Sequence, residues 1–377
     1  MKKLAIIGAS YLQQPLVKRA KEMGLRTICF AWAEGAVCKD VCEKFYPISI
    51  IEKEQILDIC RKEQIDGICT IASDTAAPTV AYVAEKMRLV GNSYECALRA
   101  NNKYEMRKAF VDAGVPCPRF KCLSASVNSE ELIVNSEEIR ELGLPLIVKP
   151  SDRSGSLGVM KVEREEDLHG AVEQAQGYSF KHEAMVEQFI EGREISVEFI
   201  SYQGKHYPLQ ITDKVTTGAP HFVELEHHQP ADLSTTQYKE IYELTNRALT
   251  ALGVTNGASH SEYRITEEGK IYVMEIGARM GGDFIGSDLV QLSTGYDFLR
   301  GVIEVALGEF HEPVLNERNY SGVYFLCQET GNLEQYFQQP PSCVVAYKKT
   351  SNTLWPVQCS GDRSGYLIYK SDRKIKL

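Results

Sequence analysis

The first 95 residues alternate between strand-like and helix-like runs, and that alternation constrains the fold more than any other feature. "KLAIIGAS" reads as a buried strand ending in a turn of small residues. "LQQPLVKRAKEMG" follows with helical spacing and a glycine stop. "RTICFAW" is the next strand, "KEQILDICRKEQ" a helix, "IDGICTIAS" a strand and "TAAPTVAYVAEKMRL" a helix. This order predicts a parallel sheet covered on both faces. Ligands of such sheets sit at the carboxyl ends of the strands. The turns "GASYLQ" and "SDTAAP", the latter with Asp74, therefore face a crevice. G-x-G-x-x-G is absent, which argues against a nicotinamide site.

The pattern changes at "NNKYEMRKAFVDAGVPCP", where Asn101 or Asn102 can cap a helix that ends at Gly114. "LPLIVKP" and "VMKVE" read as strands joined by "SDRSGSLGV". "EEDLHGAVEQAQ" has helical spacing. "EAMVEQFIEGREISVEFISYQGKHYPLQITDKV" reads as two or three strands, and "STTQYKEIYELTNRALTALGV" as a long helix. A further helix is predicted from about Asp288 to Leu307, and strands at "YSGVYFLCQ" and "CVVAYKK". At about 150 residues per domain, 377 residues suggest two or three domains. The formal net charge of −9 argues against a general nucleic-acid or anionic-membrane binder. No apolar run approaches the roughly 18 residues of a membrane span, and "MKKLAIIGAS" turns polar too early for a signal peptide. The eleven cysteines contain no C-x-x-C pair, so zinc is not expected. Cys29, Cys60 and Cys69 lie in apolar segments and are expected in the core, and an odd count suits a reduced, cytoplasmic chain.

"IYVMEIGARMGGDFIG", 271–286, places Glu275 in an apolar strand with Arg279 four residues on. Upstream, "HSEYRITEEGKIYVMEI" reads as a hairpin around "EEGK". A two- or four-residue loop sets Thr266 opposite Ile271, Arg264 opposite Val273, and Glu262 opposite Glu275. Three-residue loops would shift this by one. The two glutamates then have Cβ atoms about 5 Å apart. They repel unless one is protonated or a cation lies between them. Tyr263, Ile265, Tyr272 and Met274 make the other face apolar. A carboxylate pair without His or Cys suits a hard cation such as magnesium, which binds one or two carboxylates together with substrate phosphates. In "KPSDRSGSLGV", Ser154, Gly155, Ser156 and Gly158 form a small-residue loop between two strands, without the GK[ST] of a Walker loop. Glycine lets backbone N–H groups approach phosphate. Lys149 ends the preceding apolar strand, where a lysine either snorkels or meets an anion.

In this order, "NNKYEMRKAF", "LPLIVKPSDRSGSLGV", "MVEQFIEGREISVEF" and "SEYRITEEGKIYVMEIGARMGGDFI" resemble the ATP-grasp superfamily over about residues 100–305. The leading alternation resembles the pre-ATP-grasp domain that precedes it. The resemblance implies an α/β and α+β chain: a Rossmann-like parallel sheet over 1–97, a small lobe with a glycine-rich lid over 98–184, a large lobe over 185–310, and a C-terminal lobe over 311–377. It gives Lys103 and Lys149 contact with nucleotide phosphates and makes 151–159 the lid. Glu187, Gln188, Phe189 and Ile190 match the hinge that reads adenine, partly through backbone groups. Glu194 matches the ribose-binding acid, and Glu262 and Glu275 the magnesium ligands. Arg279 matches the arginine that stabilises reacting phosphate and carboxylate oxygens. The family has a metal-contacting asparagine where this chain has Gly277, and water or Asp283 could replace it.

The implied chemistry is ATP-dependent activation of a carboxylate as an acyl phosphate, followed by attack of an amine, with magnesium or manganese as the metal. "TDKVTTGAPHFVELEHHQPADL" resembles a segment of amino-acid and dipeptide ligases. There His221, Glu224, His227 and His228 could line an acceptor pocket, or could be incidental residues of an exposed loop. Gly281, Gly282 and Asp283 are expected around the carboxylate substrate. Small-molecule carboxylates and amines are the expected partners, and a homodimer is left open. Two other readings stay open: an ATP-grasp enzyme of a purine-pathway or bicarbonate-type substrate, and a catalytically silent nucleotide-binding protein.

Overall fold

Apolar residues on both sides of the first strands demand two covers, and the fold supplies them. The computed structural model describes residues 1–124, 137–153, 157–219 and 221–377. β1 (Lys3–Ile7), β2 (Arg26–Phe30), β3 (Lys44–Tyr46) and β4 (Gly67–Cys69) form a parallel sheet in the order β3-β2-β1-β4. Ala5, Ile7, Ile28 and Phe30 pack on α2 (Lys53–Glu63) and α3 (Ala77–Met87). Leu4, Ile6, Cys29 and Cys69 pack on α1 (Gln14–Glu22) and on a helix from far along the chain, Phe298–Leu307. The N-terminal sheet is thus sealed on one face by a helix of the distant large lobe.

α4 (Tyr94–Asn101) leads into α5 (Lys103–Asp112), whose cap is Asn102, its side chain accepting from Glu105 N–H at 2.9 Å. A second, antiparallel sheet has the order β5-β8-β6-β7, with β5 (Phe120–Ser124), β6 (Leu146–Pro150), β7 (Met160–Val162) and β8 (Glu183–Gln188). The helix Glu165–Tyr178, α6, packs against it.

The third sheet has eight strands: β9 (Arg193–Tyr202), β10 (Lys205–Thr216), β11 (Glu224–Gln229), β12 (Gly257–Ile265), β13 (Ile271–Gly277), β14 (Tyr320–Leu326), β15 (Val344–Lys349) and β16 (Gly365–Ser371). Their order is β13-β12-β9-β10-β11-β14-β16-β15, so the strands after residue 310 continue the sheet of the large lobe. β16 was not anticipated from the sequence. α7 (Thr235–Leu252) packs its apolar stripe, Ile241, Leu244, Ala248 and Leu249, on one face with Ile195, Val197, Tyr263 and Val273.

Two expectations need correction. The helix predicted from Asp288 to Leu307 is broken. Gly295 takes φ 78°, a left-handed turn that favours glycine, and Asp297 caps a fresh helix from Phe298. The hairpin register also differs near its turn. Glu262 does pair with Glu275, but Tyr263 pairs with Val273, Arg264 with Tyr272 and Ile265 with Ile271. Met274 is the extra residue of a β-bulge, which shifts everything beyond it by one. Ile271 and Val273 therefore join Tyr263 and Ile265 in the core, in place of Tyr272 and Met274, and Met274 lines a cleft.

Candidate functional site

The face of the large sheet turned away from α7 carries polar side chains in three adjacent rows. Lys214, Glu194 and Arg264 form one, Thr212, Ser196, Glu262 and Glu275 the next, and Gln210, Glu198, His260 and Gly277 the third. Strand pairing places residues of one row side by side, and the period of two keeps the rows on one face. The second sheet closes over them. The cleft between has a volume of about 250 Å³ and includes Lys149 from β6 and Phe189 and Ile190 from the segment after β8.

Each acid in the cleft pairs with a cation, and Lys214 serves two of them. Lys103 Nζ lies 2.9 Å from Glu275 Oε1 and also donates to the Arg153 carbonyl at 2.7 Å. Lys214 Nζ lies 2.7 Å from Glu262 Oε1 and 3.3 Å from Glu224 Oε1. Arg264 pairs with Glu194 and donates to the Ile190 carbonyl. Arg279 Nη2 donates to Asp74 Oδ2 at 2.7 Å. The answer to the Glu262–Glu275 repulsion is thus a lysine for each. Neither a shared ion nor Arg279 is needed for the two acids to coexist. Burial alone would raise the Glu262 carboxyl, but Lys214 and His260 outweigh it and hold it well below the usual range. Burial would likewise depress Lys214, yet Glu262, Glu224 and Glu194 push it upward. His260 shares a short bond with Glu198, which overcomes burial and raises the imidazole to about 9.

Glu262 Oε2 and Glu275 Oε2 have no hydrogen-bond partner among the described residues. Two carboxylates with one open oxygen each fit a magnesium ion that takes the rest of its shell from phosphate and water. Among the described residues no group of three or more His, Cys, Asp or Glu could hold a metal. The donor set therefore suits a metal that arrives with a phosphate.

Residues 142–288 match the model of the ATP-grasp domain family. Over that stretch the chain is similar to an ATP-grasp domain. It is 27% identical over 251 residues to the alanine–anticapsin ligase of Bacillus subtilis (strain 168), covering 61% of this chain and 51% of that one. The chain spans about half the length of the first curated relatives it matches. In fold it is similar to the L-amino acid ligase of Bacillus licheniformis, with TM-score 0.79, 23% identity, and coverage of 99% of this chain and 94% of that one. The phosphoribosylglycinamide synthetase of Anaerococcus prevotii gives TM-score 0.78 and 21% identity with the same coverage. At these identities the two structures speak for the fold, a two-lobed ATP-grasp body behind a Rossmann-like sheet.

The cleft brings together Lys103, Lys149, Glu187, Phe189, Ile190, Glu194, Glu224, Glu262, Glu275 and Arg279. The side chain of Glu187 is consumed in ion pairs, to Lys149 at 2.5 Å and Arg107 at 2.8 Å. Burial and the neighbouring Arg107 and Lys103 lower the Lys149 pKa. Gln188 does not line the cleft; its side chain accepts from Arg119 at 3.3 Å. Ser154, Gly155 and Ser156 lie outside the described residues, and Gly158 follows them in a turn.

The predicted substrate residues divide. β11 is an inner strand of the sheet, so His227 and His228 point to opposite faces. His227 is buried 3.9 Å from Asp283, whereas His228 pairs with Glu226 and Tyr369. His221 is exposed and outside the cleft. Gly281 N–H faces Glu198 Oε2 at 3.4 Å, and Gly282 packs beside Ala72. Asp283 does not compensate for Gly277, because Arg363 and His227 hold it elsewhere. Arg363, from the C-terminal lobe, donates to Asp283 at 2.7 Å and to Glu224 at 3.1 Å. Lys214 and His260 were also missed, although His260 carried a signal. Lys214 sits two residues before the end of its strand, and His260 sits two residues from Glu262 on one strand face.

Proposed function

We propose that this chain is an ATP-dependent ligase that joins a small-molecule carboxylate, such as that of an amino acid, to an amine, releasing ADP and phosphate. The observation that carries this is a cleft where two adjacent carboxylates keep open oxygens while Lys103, Lys149, Lys214 and Arg279 converge on the same space. Lys103 and Lys149 attract the nucleotide phosphates. Glu194 and the 187–190 hinge take the ribose and base. Glu262 and Glu275 would hold magnesium or manganese, which would offset phosphate charge. A substrate carboxylate oxygen attacks the γ-phosphorus, the bond to the bridging oxygen breaks, and ADP departs. Arg279 stabilises the oxygens on which charge gathers. The amine then attacks the acyl carbon, phosphate leaves with the bonding electrons, and the nitrogen loses a proton.

The acyl phosphate needs a site closed to water, which would otherwise hydrolyse it. His260, protonated near neutral pH, is no base for the amine. Burial lowers the His227 pKa, and it stands with Glu224, Asp283 and Arg363 on the acceptor side. The likeness in sequence to an alanine–anticapsin ligase supports an amino-acid substrate. Eleven unpaired cysteines suit a reducing compartment, and we assign the reaction to the cytoplasm. No helix among the described residues is long and apolar enough to cross a membrane.

The test is a phosphate-release screen over pairs of amino acids with ATP and magnesium, with bicarbonate and phosphoribosylamine as parallel arms. Release that needs both members of an amino-acid pair is expected. Release with the parallel substrates alone would redirect the assignment, and no release in any arm would leave a nucleotide-binding protein without ligase activity.

A further inference from the structure

The chain leaving β4 runs against the segment that follows β13. Ile71 and Met280 form a parallel bridge, and Ala72 N–H donates to the Met280 carbonyl at 3.0 Å. Ala72 takes φ 55°, uncommon for a residue with a Cβ, and the turn carries Asp74 into the cleft. Asp74 Oδ2 accepts from Arg279, while Oδ1 lies 2.8 Å from where a Cβ on residue 277 would stand. A Cβ at 277 would press on Asp74 Oδ1 and, at 3.0 Å, on the Arg279 guanidinium, so the Asp74–Arg279 pair would have to shift.

Arg279 is largely buried and needs a negative partner. Asp74 is the acid it touches, and the charges of Glu262 and Glu198 also act on it. Lys103 and Lys214 each take one oxygen of Glu275 and Glu262, leaving the other open. Without Asp74, Glu262, whose charge already acts on Arg279 and which keeps one open oxygen, is offered to the guanidinium. We infer that Asp74, supplied by the N-terminal sheet, is a positioning residue that holds Arg279 away from Glu262 and Glu275, and that glycine at 277 is the gap that admits it. This rests on the reading of the two glutamates as metal ligands.

The test titrates manganese by electron paramagnetic resonance into the full chain with ADP. Asp74→Ala should weaken manganese binding at least tenfold, about the scale of one charge-assisted hydrogen bond. Gly277→Ala should do the same by displacing the Asp74–Arg279 pair. Adding Arg279→Gln to Asp74→Ala should restore binding to within about threefold of the unmodified chain, since no arginine remains to cover the glutamates. Unchanged manganese binding in Asp74→Ala, or a loss that Arg279→Gln does not relieve, would overturn the inference alone. Absence of ADP-dependent manganese binding in the unmodified chain would overturn the nucleotide–metal reading and this inference with it.

Discussion

Glu187 and Glu275 each pair with a lysine, but they sit on opposite walls of the cleft and differ in what they leave unsatisfied. Glu187 is 1% exposed and held between Lys149 and an Arg107 that is 0% exposed. Glu275 is 30% exposed, meets one lysine, and keeps an open oxygen. The first arrangement is buried except where Lys149 reaches the cleft, and removing its acid leaves two cations unpaired. The second can accept a cation at little cost. The same residue types thus form scaffold on the small-sheet wall and a binding edge on the large-sheet wall.

Breaking the closed cluster should have the largest effect. Glu187→Ala leaves Arg107 and Lys149 buried without an acid and should cost about 3–5 kcal/mol of stability, read by urea unfolding. A loss below about 1 kcal/mol would show that water reaches this cluster. The open site should behave in the reverse way. Glu275→Gln should change stability by about 1 kcal/mol or less, yet lower magnesium-dependent ADP formation by at least about a hundredfold. Turnover close to that of the unmodified chain would remove Glu275 from the metal.

The smallest effect sharpens the contrast through pH. His260 is raised from 6.5 to about 9 because Glu198 outweighs its burial. A raised pKa means that the folded chain binds the proton more tightly than the unfolded chain. The resulting stability is fully present below about pH 6.5 and is lost as pH rises through about 9. Unfolding experiments between these values should show a decline on the order of 2 kcal/mol that His260→Gln flattens. An equal decline in the variant would assign it to other groups.

The acid pair of the hairpin was legible in the sequence because strand periodicity puts Glu262 and Glu275 on one face. Lys149 was legible because a charge closing an apolar strand must go somewhere. Lys214 bore no such mark, since it lies inside a strand among polar neighbours and its acids come from other strands. The bulge at Met274 was not legible, because it is settled by which residues the core beneath α7 accepts. Arg363 left no trace at all; it meets Asp283 across 80 residues of chain, through a strand added to the far side of the sheet.

Local order thus determined where strands, helices, and the two glutamates fall, since periodicity acts over a few residues and burial rewards it directly. Tertiary structure alone decided who neutralises whom. Lys103 reaches Glu275 across 172 positions, and Arg279 reaches Asp74 across 205. Coulomb attraction falls with distance in space and ignores distance along the chain, so pairing of buried charges waits on how the three sheets pack.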